Sequence, residues 1–411
     1  MPEAVIVAAT RSPIGRANKG SLADCRPDDM AAQMVQAALN QIPQLDPARI
    51  DDLVLGCGMP GGLQGGNLAR VVAILLGLDG LPGTTVTRYC ASSLQSTRMA
   101  FHAIRAGEGH AFVSAGVESV SSFRYGHSDA LHGEDQSALV NPSFAAAVER
   151  TARRSVANAP IWRDPRDEDV LPDPYIAMGQ TAENVAGLKG VSRREQDEYA
   201  ALSQSRAQQA ITAGIFDREI SPVTLPDGST VSCDDGPRTG VTVETLSQLQ
   251  PVFRPDGTVT AGNSCPLNDG AAALVITSDT LAKELGLAPL ARIVSTAVSG
   301  LSPEIMGLGP VEACRRALTL AGMSINDIDL IEINEAFAAQ VIPSARELCV
   351  DIDKLNVHGG AIALGHPFGM TGARITTTLL NALRTRDGQF GLETMCIGGG
   401  QGMAMIVERL N

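Results

Sequence analysis

At 411 residues, 44% hydrophobic and 19% charged, the chain is long enough for two or three domains with large cores, and it fits neither disorder, collagen nor coiled coil. A net charge of −13 argues against nucleic acid and anionic membranes as partners, because both need clustered Lys and Arg; a local basic patch can still hold a small anion within a Debye length of about 8–10 Å. The eight cysteines come no closer in sequence than 32 positions (Cys25 and Cys57), so there is no disulfide scaffold, CxxC or zinc-knuckle spacing, and they read as reduced thiols, mostly small buried hydrophobes.

In chain order, Ala4–Ala9 is a short buried-strand pattern, too short for a signal core and without a basic flank. A helix is expected over Pro27–Asn40, with Pro in the first turn and Asp28 and Asp29 where the helix dipole favours negative charge. Leu53–Leu55 reads as a strand, Asn67–Leu76 as a helix and Thr84–Val86 as a short strand. Ala91–Ala106 reads as a helix with Leu94, Thr97, Phe101 and Ile104 on one face, and Ala111–Ala115 as a strand. Strands alternating with helices predict βαβ units and a mostly parallel sheet. No apolar run approaches the 18 residues of a membrane span, and the C-terminus Glu408-Arg409-Leu410-Asn411 is no peroxisomal address; a soluble cytoplasmic enzyme is expected.

The late half repeats this pattern. Helices are expected at Val311–Ala321, Ala336–Leu348 and Gly369–Arg384, and strands at Leu330–Ile333, Glu393–Ile397 and Met403–Glu408. Arg49–Leu55 (RIDDLVL) matches Asp327–Ile333 (DIDLIEI). Gly107-Glu108-Gly109 before a strand ending in Ala115-Gly116 matches Asp387-Gly388 before one ending in Ile397-Gly398. A duplicated domain is the expectation. Between the halves, Ser121–Pro255 is polar and Pro-rich. Arg150, Arg153, Arg154, Arg163 and Arg166 within it are either a solvated face or a positive field for an anionic ligand. A helix over Ser192–Gly214 opens on a capping box, Ser192 and Glu195.

Four segments could carry chemistry. In Thr87–Ser93 (TRYCASS) a helix begins at Cys90, and the free N–H groups there would lower a thiol's pKa or hold an oxyanion; the alternative is one more buried hydrophobe. In Gly359–Gly369 (GGAIALGHPFG) a histidine, one of six, sits in an apolar turn before a helix. Burial there lowers its pKa and leaves it neutral, as a general base or a hydrogen-bond donor, or as a core histidine. In Met395–Gly402 (MCIGGGQG) a strand delivers Cys396 into a glycine turn that allows close backbone approach but is no dinucleotide fingerprint. In Asn334–Ala339 (NEAFAA) an asparagine stands at a strand-to-helix junction, where helix capping is the usual reading.

Together these segments resemble the thiolases, which exchange acyl groups between coenzyme A thioesters. AATRSPIG (Ala8–Gly15), CASSLQS, AGVESVS, MGQTAENVA, TAGN followed by NDGAAA, NEAFAA, GGAIALGHPFGMTG and CIGGGQG occur in the family's order over essentially the whole chain. The resemblance implies an α/β fold of two βαβαβαββ halves forming a five-layer α-β-α-β-α sandwich. On that basis residues 1–121 with about 256–286 form the first half, 122–255 a loop domain covering the coenzyme, and 287–411 the second half. It implies Cys90 as the acylated nucleophile, His366 as its base and Cys396 as the group that moves the proton at the α-carbon. Asn334 would fix a water in one oxyanion hole shared with His366, and the N–H groups of Cys90 and Gly398 would form the other.

Coenzyme A is then a co-substrate and no permanently bound cofactor is implied. Arg238 matches the family's arginine near the adenosine phosphate, and Thr245 stands where a serine lies near the adenine. Cys265, with Ser264 before it, stands at the pantetheine-contacting serine, and Met178 opens the MGQTAENVA motif. The chain departs from the family at Thr87 (usually Asn), Ser93 (usually Gly), His358 (usually Asn) and Ala177, where thiolases confined to acetoacetyl-CoA often carry His; the last predicts acceptance of longer chains. The leading expectation is a degradative 3-ketoacyl-CoA thiolase. The alternatives are a biosynthetic acetoacetyl-CoA thiolase and a non-catalytic acyl-CoA or lipid carrier, the last opposed by retention of all four catalytic residues. A ketoacyl synthase shares the fold but would use histidines in place of Cys396. The family implies a homodimer or homotetramer, in some members within a fatty-acid oxidation complex.

Overall fold

The computed structural model describes residues 1–128 and 140–411. The first half runs β1 (Ala4–Arg11), the two-residue β2 (Gly15–Arg16), α1 (Pro27–Asn40), β3 (Asp52–Cys57), α2 (Leu68–Leu75), β4 (Gly83–Val86), α3 (Ser92–Ala106) and β5 (Ala111–Ser119). An irregular segment follows with α4 (Ala145–Arg153), α5 (Met178–Lys189), α6 (Arg193–Thr212), a small β6–β7 hairpin (Val223–Thr224 and Thr230–Val231) and α7 (Val243–Ser247). The chain then re-enters the sheet as β8 (Asn268–Ser278) and leaves through α8 (Asp279–Glu284). The second half is β9 (Ala291–Gly300), α9 (Gly309–Ala321), β10 (Leu330–Ile333), α10 (Ala338–Glu347), α11 (Ala361–Leu364), α12 (Thr371–Thr385), β11 (Phe390–Ile397) and β12 (Gln401–Arg409).

The duplication is visible in strand order. The path through the ten-stranded sheet is β10-β11-β12-β9-β1-β8-β5-β3-β4. Read outward from the central β1–β9 pair, the first half is β1-β8-β5-β3-β4 and the second β9-β12-β11-β10. The place of a last strand is marked by a single parallel bridge, Ile331 to Leu355. The two stretches matched in sequence are β3 with β10 and β5 with β11. One expectation is corrected: the sheet is mixed. Only β4-β3-β5 and β10-β11 are parallel, because only these pairs are joined by helical crossovers. The hairpin β11–β12 and the pairs of β8 and β9 run antiparallel.

Alternating strand residues feed three cores. Val5, Leu53, Leu55, Val113 and Val275 pack under α1 and α2. Ile6, Phe112, Leu274, Ile293, Met395 and Met405 face α3 and α12 in the middle, and Ile331, Ile333, Leu392 and Ile406 pack under α9 and α10. Helices, sheet, central helices, sheet and helices make five layers. β5 and β8 are buried along their whole length, as strands covered on both faces must be.

The irregular segment is fastened by buried charge. Arg11 of β1, fully buried, donates to Glu219 at 2.7 Å and bidentately to Asp234 at 2.7 and 2.9 Å. Glu304 accepts from Arg150 at 2.7 Å, from the indole of Trp162 at 2.7 Å and from the Asp173 N–H at 2.9 Å. The arginine cluster is therefore only partly a free positive field, because Arg150 pairs with Glu304 and Arg153 with Glu149. The capping box at Ser192 and Glu195 is formed as expected.

Candidate active site

The four segments meet at one end of the sheet. Cys90 lies in a single 3-10 turn, Tyr89–Ala91, leading from β4 into α3, and this turn packs on both β11 and α12. Tyr89 has φ of 44°, a left-handed conformation that costs a non-glycine residue about 1–3 kcal/mol and is tolerated where neighbours enforce it. Ser92 does so: its hydroxyl donates to the Tyr89 carbonyl at 2.7 Å and accepts the Arg88 N–H at 2.9 Å. Arg88 in turn donates to Gln95 of α3 and to Gln401 at the start of β12, tying the Cys90 turn to the glycine turn.

Asn334 follows β10, and its N–H bonds the carbonyl of Thr394, two residues before Cys396. Helix α10 starts only at Ala338, with Phe337 as its N-cap. Asn334 is thus not a capping residue, and its side chain is free for other work. Its Nδ2 lies 3.2 Å from His366 Nε2, while its buried Oδ1 has no partner. His366 is buried, and its Nδ1 lies 2.6 Å from Thr371 Oγ1. Its own N–H donates to Asn268 Oδ1 at 3.0 Å. Gly365 before it has φ of 119°, which only glycine adopts readily. Gly369 after it lies so close to the backbone of Cys57 and Val117 that a Cβ would collide.

Cys396, next to last in β11, is fully buried in a small apolar cluster with Phe337, Ala336 and Met306, against which Met178 and Cys265 also pack. The turn Gly398-Gly399-Gly400 follows, between β11 and β12, and opens no helix. A Cβ on Gly398 would stand 3.6 Å from Met178 Sδ and 3.6 Å from the Tyr89 ring.

Burial pushes the Cys90 thiol up to about 12; the N–H groups of Gly398 and Cys90 itself pull against this, and Glu118 adds to the rise. The expectation that the helix start would lower this pKa is corrected, because loss of water around the sulfur outweighs two N–H dipoles. Cys396 is raised well above the ordinary thiol value by burial and then by Cys90 and Cys265. Burial, followed by Arg374, lowers His366 to about 3. The resting site is therefore neutral: two thiols and an uncharged imidazole.

Sequence reasoning missed four contributors. Glu118 on β5, fully buried, accepts the N–H groups of Gly58 at 2.7 Å and Gly369 at 2.8 Å and the Gln64 amide at 2.6 Å. It joins the first half to the histidine loop, and its signal was a carboxylate inside an apolar strand. Glu335 braces the same loop from Tyr199, Ser203 and the Ile362 N–H. Thr371 and the strain at Tyr89 left no mark in the sequence.

The five candidate coenzyme contacts fall into two groups. Met178 and Cys265 border Cys90 and Cys396. Arg238 is exposed beside α6, on a groove of about 510 Å³ formed with Gln204, Gln208, Thr212 and Val241. Thr245 is exposed and donates its hydroxyl to the Thr242 carbonyl in a capping box, and Ser264 donates to the Thr260 carbonyl at 2.7 Å. Neither hydroxyl has a proton to spare for a ligand. Among the described residues no group of His, Cys, Asp and Glu is placed to hold a metal ion, and no helix is long and apolar enough to cross a membrane.

Residues 4–280 match the family "Thiolase, N-terminal domain" and residues 287–409 "Thiolase, C-terminal domain". The chain is 43% identical to a 3-ketoacyl-CoA thiolase of Bacillus subtilis, over 99% of this chain and 100% of that one. Its structure is similar to that of a Bacillus anthracis acetyl-CoA acetyltransferase, with a TM-score of 0.85 and 40% identity over 100% of this chain and 99% of the other. It is also similar to human mitochondrial 3-ketoacyl-CoA thiolase in complex with CoA, with a TM-score of 0.84 and 37% identity over 100% and 98% of the two chains.

Proposed function

The chain belongs to the thiolase family, and from that premise we propose that it is a 3-ketoacyl-CoA thiolase, an acyltransferase that cleaves a 3-ketoacyl-CoA with free coenzyme A into acetyl-CoA and a shortened acyl-CoA. The observation that carries this reading is the convergence of Cys90, His366, Asn334 and Cys396 on one place from four separate segments of the chain.

Substrate binding brings the ketone to Cys90. The thiol proton passes to His366 Nε2, and the sulfur adds to C3. The oxyanion is met by the N–H groups of Cys90 and Gly398. The C2–C3 bond breaks, leaving an acyl group on Cys90 and an acetyl-CoA enolate. The enolate oxygen is held by His366 and an Asn334-bound water, and its carbon takes the Cys396 proton. The Cys396 thiolate then takes the proton of incoming coenzyme A. The coenzyme sulfur attacks the Cys90 thioester, and the departing Cys90 sulfur recovers its proton from His366. A neutral resting site suits this sequence, since each group is charged only while a proton is in transit.

Residues 1–121 with 256–286 and 287–411 serve as the two catalytic halves, and 122–255 as the coenzyme-covering segment. Arg238 on its groove supports a place there for the phosphorylated end of the coenzyme. Cys265 and Met178 border the pantetheine end, and Ser264 and Thr245 contribute shape. Ala177, exposed at the N-cap of α5, leaves the acyl side open to chains longer than four carbons. The similarity to an acetyl-CoA acetyltransferase keeps the condensation of two acetyl-CoA as a second reading, with the same residues run in reverse. The enzyme acts in the cytoplasm on diffusible thioesters. It works as a homodimer joined at the free edge of β4, where Val71, Ile74 and Leu75 of α2 and Met99 of α3 are exposed.

The test is thiolysis of a 3-ketoacyl-CoA chain-length series, with peptide mass mapping of the acylated enzyme. Turnover that is kept or rises beyond acetoacetyl-CoA, with the acyl group on Cys90, is expected. Activity on acetoacetyl-CoA alone would select the second reading, and acylation elsewhere would overturn the assignment of Cys90.

A further inference from the structure

Thr371, the first residue of α12, is fully buried and carries one hydroxyl proton. Its Oγ1 lies 2.7 Å from the carbonyl oxygen of Pro367 and 2.6 Å from His366 Nδ1. A carbonyl oxygen only accepts, so the proton must point to Pro367. The oxygen then has only lone pairs to offer the imidazole, and Nδ1 must be the nitrogen that bears hydrogen. At the other end of the ring, Asn334 Nδ2 stands 3.2 Å from Nε2, which is the arrangement a bare Nε2 requires. The opposite tautomer would leave the Pro367 carbonyl facing a lone pair and would need the Asn334 amide reversed. The Thr371 end of the ring selects this form, and the Asn334 amide is oriented to match it.

We propose that Thr371 is a positioning residue that holds His366 as the Nδ1–H tautomer and so makes Nε2 the nitrogen that takes the Cys90 proton. This rests on the reading of His366 as the base. The second consequence concerns the protonated state. When Nε2 takes the proton, Nδ1–H still donates to a neutral hydroxyl and not to a carboxylate, so no carboxylate at Nδ1 stabilises the imidazolium. The ring holds the proton for the life of the acyl-enzyme and returns it readily to the departing sulfur. Thr371 also fixes ring orientation, because its hydroxyl is anchored to the carbonyl of the residue next to the histidine.

The experiment compares Thr371→Ser and Thr371→Val with the unaltered enzyme in thiolysis, alongside ¹⁵N NMR of histidine-labelled protein. The serine variant keeps the hydroxyl and is expected to hold kcat within a few-fold. The valine variant, similar in size, should lose at least roughly tenfold in kcat, a part of the 10²–10⁴ that general-base catalysis contributes, with KM little changed. The His366 signals should show Nδ1 protonated and Nε2 bare in the unaltered enzyme. Protonation at Nε2 there would overturn the proposal even if the valine variant failed to fold. So would full kcat in a folded valine variant while His366→Asn is inactive. Full activity of His366→Asn would instead sink the reading of His366 as the base.

Discussion

At the scale of single residues, the site stores its reactivity in neutral groups. A thiolate–imidazolium pair would react with electrophiles at any pH near neutrality. A Cys90 thiol held near 12, in a site whose imidazole lies near 3, exposes thiolate only in proportion to hydroxide. The rate of Cys90 alkylation by iodoacetamide is therefore expected to rise about tenfold per pH unit between pH 7 and 9; a plateau below pH 8 would show a standing ion pair. The strained Tyr89 belongs to the same design, since it turns the chain so that Cys90 meets the Gly398 N–H.

At the scale of elements, the halves differ where they have different work. Strand β4 ends the sheet in the first half, whereas its counterpart in the second is the single bridge at Leu355. Among the described residues this edge is unpaired, and with exposed apolar side chains beside it, it is the surface proposed above for another copy of the chain. Leu75 is 50% exposed, so Leu75→Asp should not disturb the core. Light scattering is expected to give twice the chain mass for the unaltered protein and a shift towards monomer for the variant. A monomeric unaltered protein would contradict the proposed dimer. The edge was legible in sequence only as the short β-branched strand Thr84–Val86, because nothing local says whether a strand has a neighbour on both sides.

Over the whole molecule, buried acids and bases set a pH dependence of stability. Burial raises Glu118 to about 7 and Glu332 and Glu393 to about 8. An unfolded chain releases these protons near the ordinary 4.5, so the folded form binds more protons across that window. Its stability then falls as pH rises, the loss being complete above about 8. His366 and His358, lowered by burial to about 3 and 4, act oppositely: the unfolded chain binds more protons below 6.5, and stability falls on acidification. The two effects oppose each other below pH 6.5; above it the carboxylates act, joined from about pH 8 by the buried thiols with the same sign. The thermal midpoint is expected to drop between pH 6.5 and 8.5, with a shallower slope in Glu393→Gln. A midpoint that rises over that range would show these carboxylates already ionised in the fold.

The sequence by itself determined the alternation of strands and helices, the duplication, the four segments that meet in one site and the family. Each of these is written in local periodicity or in residue types at fixed spacing. It misread the sheet as mostly parallel, because strand direction depends on which partners are reached through helices and which through hairpins. It also misread the direction of the Cys90 shift, because a helix start is a local feature while desolvation comes from every layer packed around it. Only the tertiary structure brought Asn334 to His366, spent the Ser264 and Thr245 hydroxyls on their own backbone, and set Glu118 and Thr371 behind the histidine. Those contacts join residues far apart in the chain or depend on where a single proton points.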